Sequence, residues 1–256
     1  MILIISCATW TLSRNIECHQ LNTNTIKINE IVSNKVKQYT DIYAKNEIVY
    51  IEDIFETVFF NSFVTEIEKF SNDCSLKSKT NELFHLIRKA STITATKLRP
   101  VRNVNDLYNS VHLMKFIQEI SGNKDLKNVD CTDEASMNLL IYDSPNDFIS
   151  WHTDPNHYVG QRLTVLISLV NRGSNYNGLS KSELQYITSD LKQHSIQMKP
   201  NSMLIFNGSV ISHQATPINK DEIRIVLSFT YCNICEETIF GNFLKQCKQI
   251  VLGYYT

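Results

Sequence analysis

Three residues of the chain have the types and the spacing needed to bind one metal ion. His152 and Asp154 are separated by a single residue, and His213 lies much further along the chain. Alternate residues of a strand point to the same face, so a strand would present the His152 imidazole and the Asp154 carboxylate together. Two histidines and one carboxylate suit Fe(II) and leave positions open on the ion. Either histidine alone would more often be a hydrogen-bonded structural residue, so the prediction depends on all three.

A fourth residue, Arg224, suggests a ligand beside the metal. It lies in a run from 222 to 230 in which apolar residues alternate with a second set that includes Arg224, Val226 and Ser228. A guanidinium on a largely buried strand needs an anionic partner, and a carboxylate bound through both oxygens fits its planar shape. The alternative is an ion pair with a carboxylate of the protein itself.

Short β-like segments separated by turn residues dominate the second half of the chain. Eight such segments at this spacing predict a jelly roll, in which two antiparallel sheets face each other. The predicted strands are 135–143, 148–154, 162–171, 183–188, 194–199, 202–207, 211–217 and 222–232.

The first part of the chain is more helical. Apolar residues at helical spacing predict helices from Ile28 to Ala44 and from Glu56 to Phe70, and a third that begins after Asn105 as N-cap and ends at Gly122. We therefore expect a mainly β protein with helices flanking the jelly roll. Residues 1–104 would form a helical and mixed region that packs on a catalytic core of residues 105–256.

Together these motifs resemble the Fe(II)/2-oxoglutarate-dependent dioxygenase superfamily, in its prolyl-hydroxylase-like and small-molecule hydroxylase branch. The resemblance consists of H-x-D at 152–154, His213 between Phe206 and Pro217, Arg224 after it, and the segment Met137–Tyr142 before it. It covers residues 105–232, and residues 1–100 show no match.

The resemblance implies a double-stranded β-helix that uses Fe(II), 2-oxoglutarate as co-substrate and O₂. Arg224 and Tyr142 would contact 2-oxoglutarate, and strand alternation adds Asn138 and Thr164 to the cavity wall. For Tyr142 and Thr164 the alternative is an ordinary lining role. Because Asp154 is present where related halogenases have a small residue, hydroxylation or a similar oxidation is expected.

The substrate is less constrained. The loop after the H-x-D motif suggests contacts from His157, Tyr158 and Arg162. We expect a small molecule such as an amino acid or a natural-product intermediate. A peptide or protein hydroxylase and a nucleic-acid demethylase remain alternatives, as does a non-catalytic, cupin-like metal-binding protein, although such a protein would have no use for a dicarboxylate-binding arginine.

Composition limits the partners. The formal net charge is −1, from 25 basic and 26 acidic residues, which favours neither nucleic acid nor an anionic membrane as a partner.

Seven cysteines, an odd number, indicate a reducing compartment and therefore a cytoplasmic location. Cys232 and Cys235 form an isolated C-x-x-C that predicts two ordinary cysteines. The apolar segment from Met1 to Leu12 lacks a basic start and predicts a strand or packing segment rather than a signal peptide.

Overall fold

The fold was analysed in a computed structural model that describes residues 26, 28–80, 85–130, 133–238 and 241. The prediction for Met1–Leu12 lies outside these residues. The strands are β1 (Ile48–Glu52), β2 (Ser78–Lys79), β3 (Arg88–Lys89), β4 (Ser91–Thr94), β5 (Lys127–Asn128), β6 (Met137–Tyr142), β7 (Phe148–His152), β8 (Arg162–Arg172), β9 (Leu184–Ile187), β10 (Gln193–Ile196), β11 (Ser202–Phe206), β12 (Ser212–Ala215) and β13 (Ile223–Cys232). The helices are α1 (Glu30–Ser33), α2 (Val36–Asn46), α3 (Thr57–Ser71), α4 (Ala95–Leu98), α5 (Arg102–Tyr108) and α6 (Val111–Ser121).

The last eight strands form the jelly roll. In the larger sheet the order is β11-β8-β13-β6, and in the smaller sheet it is β10-β9-β12-β7, with every pair antiparallel. Each strand corresponds to one predicted segment, so the predicted fold class is confirmed. The chain passes from one sheet to the other at each of these turns except the one between β9 and β10, which are paired neighbours in the smaller sheet.

The N-terminal strands extend both sheets. In the larger sheet β1 pairs with β11 at one edge, and β4 pairs with β6 toward the other. In the smaller sheet β3 pairs with β7. The chain therefore crosses between the sheets on passing from β3 to β4, beside the strands that carry the H-x-D motif and Tyr142.

The main hydrophobic core lies between the larger sheet and the helices. Apolar residues of β13, such as Leu227 and Phe229, belong to the same buried cluster as Phe63 and Ile67 of α3 and Ile117 of α6. The alternation in β13 therefore sends its apolar face to the helices and leaves Arg224 on the other face. Strand β8 is buried along almost its whole length because it is central in the larger sheet.

Two of the helix predictions need correction. The helix expected from Ile28 to Ala44 is broken into α1 and α2, and the helix expected after Asn105 is two helices, α5 and α6. Asn105 lies inside α5, and the N-cap of α6 is Ser110, whose hydroxyl accepts a hydrogen bond from the Leu113 amide at 3.2 Å. Gly122 ends α6 with a φ of 67°, as expected. The helix predicted from Glu56 to Phe70 corresponds to α3.

The C-x-x-C prediction is also corrected. Cys232 and Cys235 form a disulfide bond where the chain turns at the end of β13. Their Cα atoms are 5.3 Å apart, within the range that a disulfide spans.

The cytoplasmic location stays a prediction. Within the described part of the chain, none of the helices has both the length and the apolar character needed to cross a membrane.

Candidate metal and co-substrate site

The two histidines lie opposite each other on neighbouring strands of the smaller sheet. His152 of β7 pairs in register with His213 of β12, and their ring centroids are 4.2 Å apart. The Nδ1 atom of His152 is 2.8 Å from the Ser150 carbonyl oxygen, and that of His213 is 3.0 Å from the Ile211 carbonyl oxygen. Because a carbonyl only accepts, Nδ1 carries the proton in both rings. Nε2 is then the donor atom for a metal in both.

Asp154 supplies the third donor atom. One donor atom from each of His152, Asp154 and His213 lies within 4.8 Å of the others, and His152 Nε2 is 3.9 Å from Asp154 Oδ1. The other carboxylate oxygen, Oδ2, accepts a hydrogen bond from the Thr164 hydroxyl at 2.6 Å. The Asp154 amide donates to the Gly208 carbonyl at 2.7 Å. These bonds fix the carboxylate with Oδ1 toward the histidines.

A β-bulge aims His152 into the site. Simple alternation would place Phe148 and Ser150 on the same face as His152. Instead, Ala215 pairs with Ile149 while His213 pairs with His152, so β7 has one extra residue there. Ile149, rather than Ser150, therefore shares the cavity wall with His152. Bulges often occur next to active sites, where they redirect a side chain.

The side chains of His152, Asp154 and His213 border a cavity of about 300 Å³ between the sheets. The faces expected from alternation do line it. They comprise Asn138, Leu140 and Tyr142 of β6, Arg162, Thr164 and Leu166 of β8, and Arg224, Val226 and Ser228 of β13. The cavity lining thus combines polar residues with apolar ones such as Leu140, Leu166 and Val226.

Arg224 lies at the closed end of the cavity with only 2% of its surface exposed. Its guanidinium carbon is 5.3 Å from the centroid of the Tyr142 ring, and Nη2 donates to the Met198 sulfur at 3.6 Å. Its Nε and Nη1 have no hydrogen-bond partner among the described residues. A buried charge with unsatisfied donors is costly unless an anion joins it.

The pKa values of this pair agree with an anion-binding role. Burial lowers the pKa of the Arg224 guanidinium, so the protein alone does not stabilise this charge well. Burial raises the pKa of the Tyr142 phenol, which therefore keeps its proton at neutral pH and can donate a hydrogen bond. A bound carboxylate would satisfy both groups.

Thr164 and Asn138 differ in how they fit the co-substrate roles expected for them. The Thr164 hydroxyl donates a hydrogen bond to Asp154 and also lines the cavity, so it supports the carboxylate, and its contact with the co-substrate stays a prediction. The Asn138 amide nitrogen is 3.3 Å from the Ala135 carbonyl oxygen, and its Oδ1 has no partner among the described residues. Asn138 therefore keeps a polar atom for a ligand.

Of the three substrate contacts expected after the H-x-D motif, Arg162 lines the cavity and His157 and Tyr158 do not, and their roles toward a substrate stay predictions. His157 and Tyr158 are buried, are not part of the cavity wall, and the Tyr158 hydroxyl donates to Asp133. Arg162 does line the cavity. However, it donates to the Pro155 carbonyl at 2.7 Å and to the Thr230 hydroxyl at 3.2 Å, and it lies 3.8 Å from Asp154 Oδ2.

Ile87 and Arg88 are among the cavity residues that sequence reasoning missed. Both belong to the part of the chain for which no motif was found. Strand β3 has only two residues, too few to show alternation. A short segment of this kind gives no sequence signal, because only its pairing with β7 brings it to the cavity.

No family model and no curated protein matches the sequence. The structure, however, superposes on several solved structures. The non-haem α-ketoglutarate-dependent epimerase SnoN from nogalamycin biosynthesis gives a TM-score of 0.62 at 10% identity, covering 78% of this chain and 84% of SnoN. The fold is that of the Fe(II)/2-oxoglutarate-dependent oxygenases.

Two further structures share this oxygenase fold. A prolyl hydroxylase from Trichoplax adhaerens, in complex with a hypoxia inducible factor peptide, gives a TM-score of 0.62 at 13% identity and covers 81% of this chain and 94% of its own. A 2OG-Fe(II) oxygenase family protein from Burkholderia pseudomallei gives 0.61 at 11% identity and covers 81% and 93%. SnoN has also been solved with Fe³⁺, α-ketoglutarate and nogalamycin RO. At such low identity, the comparisons establish the oxygenase fold and leave activity to be argued from the site.

Proposed function

We propose that this protein is an Fe(II)- and 2-oxoglutarate-dependent oxygenase that oxidises a small molecule. The observation that carries the proposal is the buried Arg224 guanidinium, whose Nε and Nη1 lack partners among the described residues. It lies in the same cavity as His152, Asp154 and His213. A metal site alone does not require such a cation, whereas a dicarboxylate that chelates the metal does.

In this proposal His152, Asp154 and His213 hold the iron through two Nε2 atoms and one carboxylate oxygen. When bound, Fe(II) and 2-oxoglutarate would supply the activation of O₂ that oxidises the substrate, with 2-oxoglutarate converted to succinate and CO₂. Arg224 and the Tyr142 hydroxyl bind the distant carboxylate of 2-oxoglutarate and fix its orientation. Leu166 and Val226, both buried, exclude water between these two polar ends.

The cavity supports a small molecule as substrate. Its volume of about 300 Å³ falls at the lower end of the range of small-ligand sites. SnoN, which shares the fold, acts in nogalamycin biosynthesis. The Trichoplax prolyl hydroxylase binds a peptide, so a peptide or protein hydroxylase is the alternative, and nucleic-acid demethylation finds no support in the net charge of −1.

The test is an anaerobic titration of Fe(II) and then 2-oxoglutarate into the purified protein. We expect a weak visible metal-to-ligand charge-transfer band, because 2-oxoglutarate would chelate the metal. His213→Ala should abolish the band by removing a ligand. Arg224→Ala should raise the 2-oxoglutarate concentration needed for half-saturation, by roughly 10-fold or more, as expected for loss of a charged hydrogen bond.

Arg172→Ala is the matched control, since its side chain is 60% exposed and pairs with Glu68 on the outer surface. It should behave as the wild type. If folded, iron-loaded wild-type protein gave no band, the oxygenase proposal would be wrong, and a non-catalytic metal-binding jelly roll would replace it.

A further inference from the structure

A second arginine, Arg88, enters the cavity from outside the jelly roll. It lies on β3, where it pairs in register with Ile149 of β7. A single residue separates β3 from β4, which belongs to the larger sheet, so this connection closes the seam between β7 and β6. The Arg88 side chain is part of the cavity wall.

The hydrogen bonds of Arg88 leave part of its guanidinium available to a ligand. The residue is only 9% exposed. Its Nη2 donates to the Thr92 hydroxyl on β4, which holds the group in place. Its Nε has no hydrogen-bond partner among the described residues, and no ion pair to Arg88 occurs among them. A buried cation with an unsatisfied donor is expensive unless an anion joins it.

The charges around the cavity favour a further anion. Its described lining contains three arginines, Arg88, Arg162 and Arg224, and one acidic residue, Asp154. With Fe(II) and doubly charged 2-oxoglutarate bound, positive charge remains in excess by two. Arg162 lies 3.8 Å from Asp154 and donates to two protein oxygens. Arg88, which has no ion pair among the described residues, carries one of these two positive charges.

Arg88 lies nearer to solvent than Arg224 does. Its neighbour Ile87 also lines the cavity, yet 55% of Ile87 is exposed. Arg224 is fully enclosed beside Tyr142. A ligand that enters past Ile87 would meet Arg88 beside an apolar surface. Arg88 is also near enough to Tyr142 for its charge, like that of Arg224, to lower the pKa of that phenol against the larger effect of burial.

We propose that Arg88 binds a carboxylate of the substrate, so that the substrate is a small carboxylic acid with an apolar portion that contacts Ile87. This proposal rests on the function proposed above, because it assigns Arg224 to 2-oxoglutarate. A carboxylate is favoured because a guanidinium binds its two oxygens in one plane. Arg88 would then decide which substrates are accepted.

The experiment uses protein loaded anaerobically with Fe(II) and saturating 2-oxoglutarate. Isothermal titration calorimetry would measure binding of matched acids and primary amides: phenylacetate and phenylacetamide, benzoate and benzamide, N-acetylglycine and N-acetylglycinamide. We expect at least one acid to bind roughly 10-fold more tightly than its amide, as for a hydrogen bond to a charged group. Arg88→Gln should abolish this preference, and Arg88→Lys should retain part of it.

Arg172→Gln is the control and should keep the full preference. If Arg88→Gln does not fold, Thr92→Val provides the same comparison, because it removes the bond that holds the guanidinium and should lower the preference for acids.

Two results would overturn the proposal. One is the absence of any acid preference in all three pairs. The other is an Arg88→Gln protein that loses affinity for 2-oxoglutarate, measured by the charge-transfer band, while its acid preference is unchanged. The second result would assign Arg88 to the co-substrate. Failure of the proposed function itself would appear separately, as a wild-type protein without the band.

Discussion

At the scale of single residues, the geometry of the metal site depends on contacts to groups that are not ligands themselves. Thr164 donates a hydrogen bond to Asp154 at 2.6 Å. Gly208 accepts one from the Asp154 amide, and a Cβ atom at Gly208 would clash with both Asp154 and Thr164. Only glycine permits this close approach. The carboxylate is therefore oriented before any metal arrives.

Replacing Thr164 with valine should weaken metal binding. Valine has the same shape but lacks the hydroxyl, so Asp154 would lose the bond that fixes it. We expect the affinity for Fe(II) to fall by roughly 10- to 100-fold, as is typical for removal of a group that orients a metal ligand. Competition with a chromophoric chelator under anaerobic conditions would measure this change. Thr164→Ser, which keeps the hydroxyl, should bind like the wild type, and equal losses in both variants would contradict the role given to the hydroxyl.

At the scale of secondary structure, local sequence signals were accurate where tertiary contacts agreed with them. The strands and α3 follow their hydrophobic patterns. The region from 102 to 121 does not form one helix, because Ser110 is buried and caps a new helix through the Leu113 amide. Asn105, expected as the cap, instead accepts a hydrogen bond from Asn109 within α5.

This difference predicts the effect of removing the cap. Ser110→Ala should lower the free energy of unfolding by about 1 kcal/mol, the usual value for loss of an N-cap. Urea denaturation followed by circular dichroism would give the value. Val111→Ala, at the half-exposed next position, should change it by less than about 0.5 kcal/mol. If the two variants lost equal stability, Ser110 would not be the cap.

At the scale of the whole molecule, the described residues between 26 and 104 are joined to the jelly roll by paired strands and a shared core. Asn201, in the left-handed region with a φ of 61°, adds two buried bonds: it accepts from the Phe55 amide at 3.0 Å and donates to the Phe55 carbonyl at 2.9 Å. We expect the predicted regions, 1–104 and 105–256, to unfold together.

Asn201→Ala should test this link. The change leaves the buried Phe55 amide and carbonyl without partners and places alanine at a positive φ. We expect the free energy of unfolding to fall by about 2–4 kcal/mol. The transitions followed by tryptophan fluorescence and by circular dichroism should coincide, as in two-state unfolding. Separate transitions in the wild type would show that the two regions are independent.

Asn146→Ala is the control for the backbone strain alone. Asn146 has a φ of 65° and is exposed. Its replacement should cost only about 1 kcal/mol, the penalty of a left-handed backbone. A loss as large as that of Asn201→Ala would show that strain, and not the bonds to Phe55, explains the effect.

The sequence alone determined the fold class, because alternation and turn residues repeat eight times and each repeat is a local property. It also predicted that His152, Asp154, His213 and Arg224 share one site, although their roles stay predictions until metal and 2-oxoglutarate binding are measured. Parity was sufficient for the lining residues of β6, β8 and β13, because the register shift between β8 and β13 adds a residue to β8 only beyond its lining residues.

Only the tertiary structure decided the remaining features. The bulge in β7 reverses the parity that the sequence predicts for Ile149 and Ser150, because a bulge depends on the partner strand. The Thr164 hydroxyl donates a hydrogen bond to Asp154, and the loop residues His157 and Tyr158 do not line the cavity. Arg88 carries no recognisable motif and reaches the site through a two-residue strand. Pairing between distant segments determines these positions, and a single sequence does not reveal that pairing.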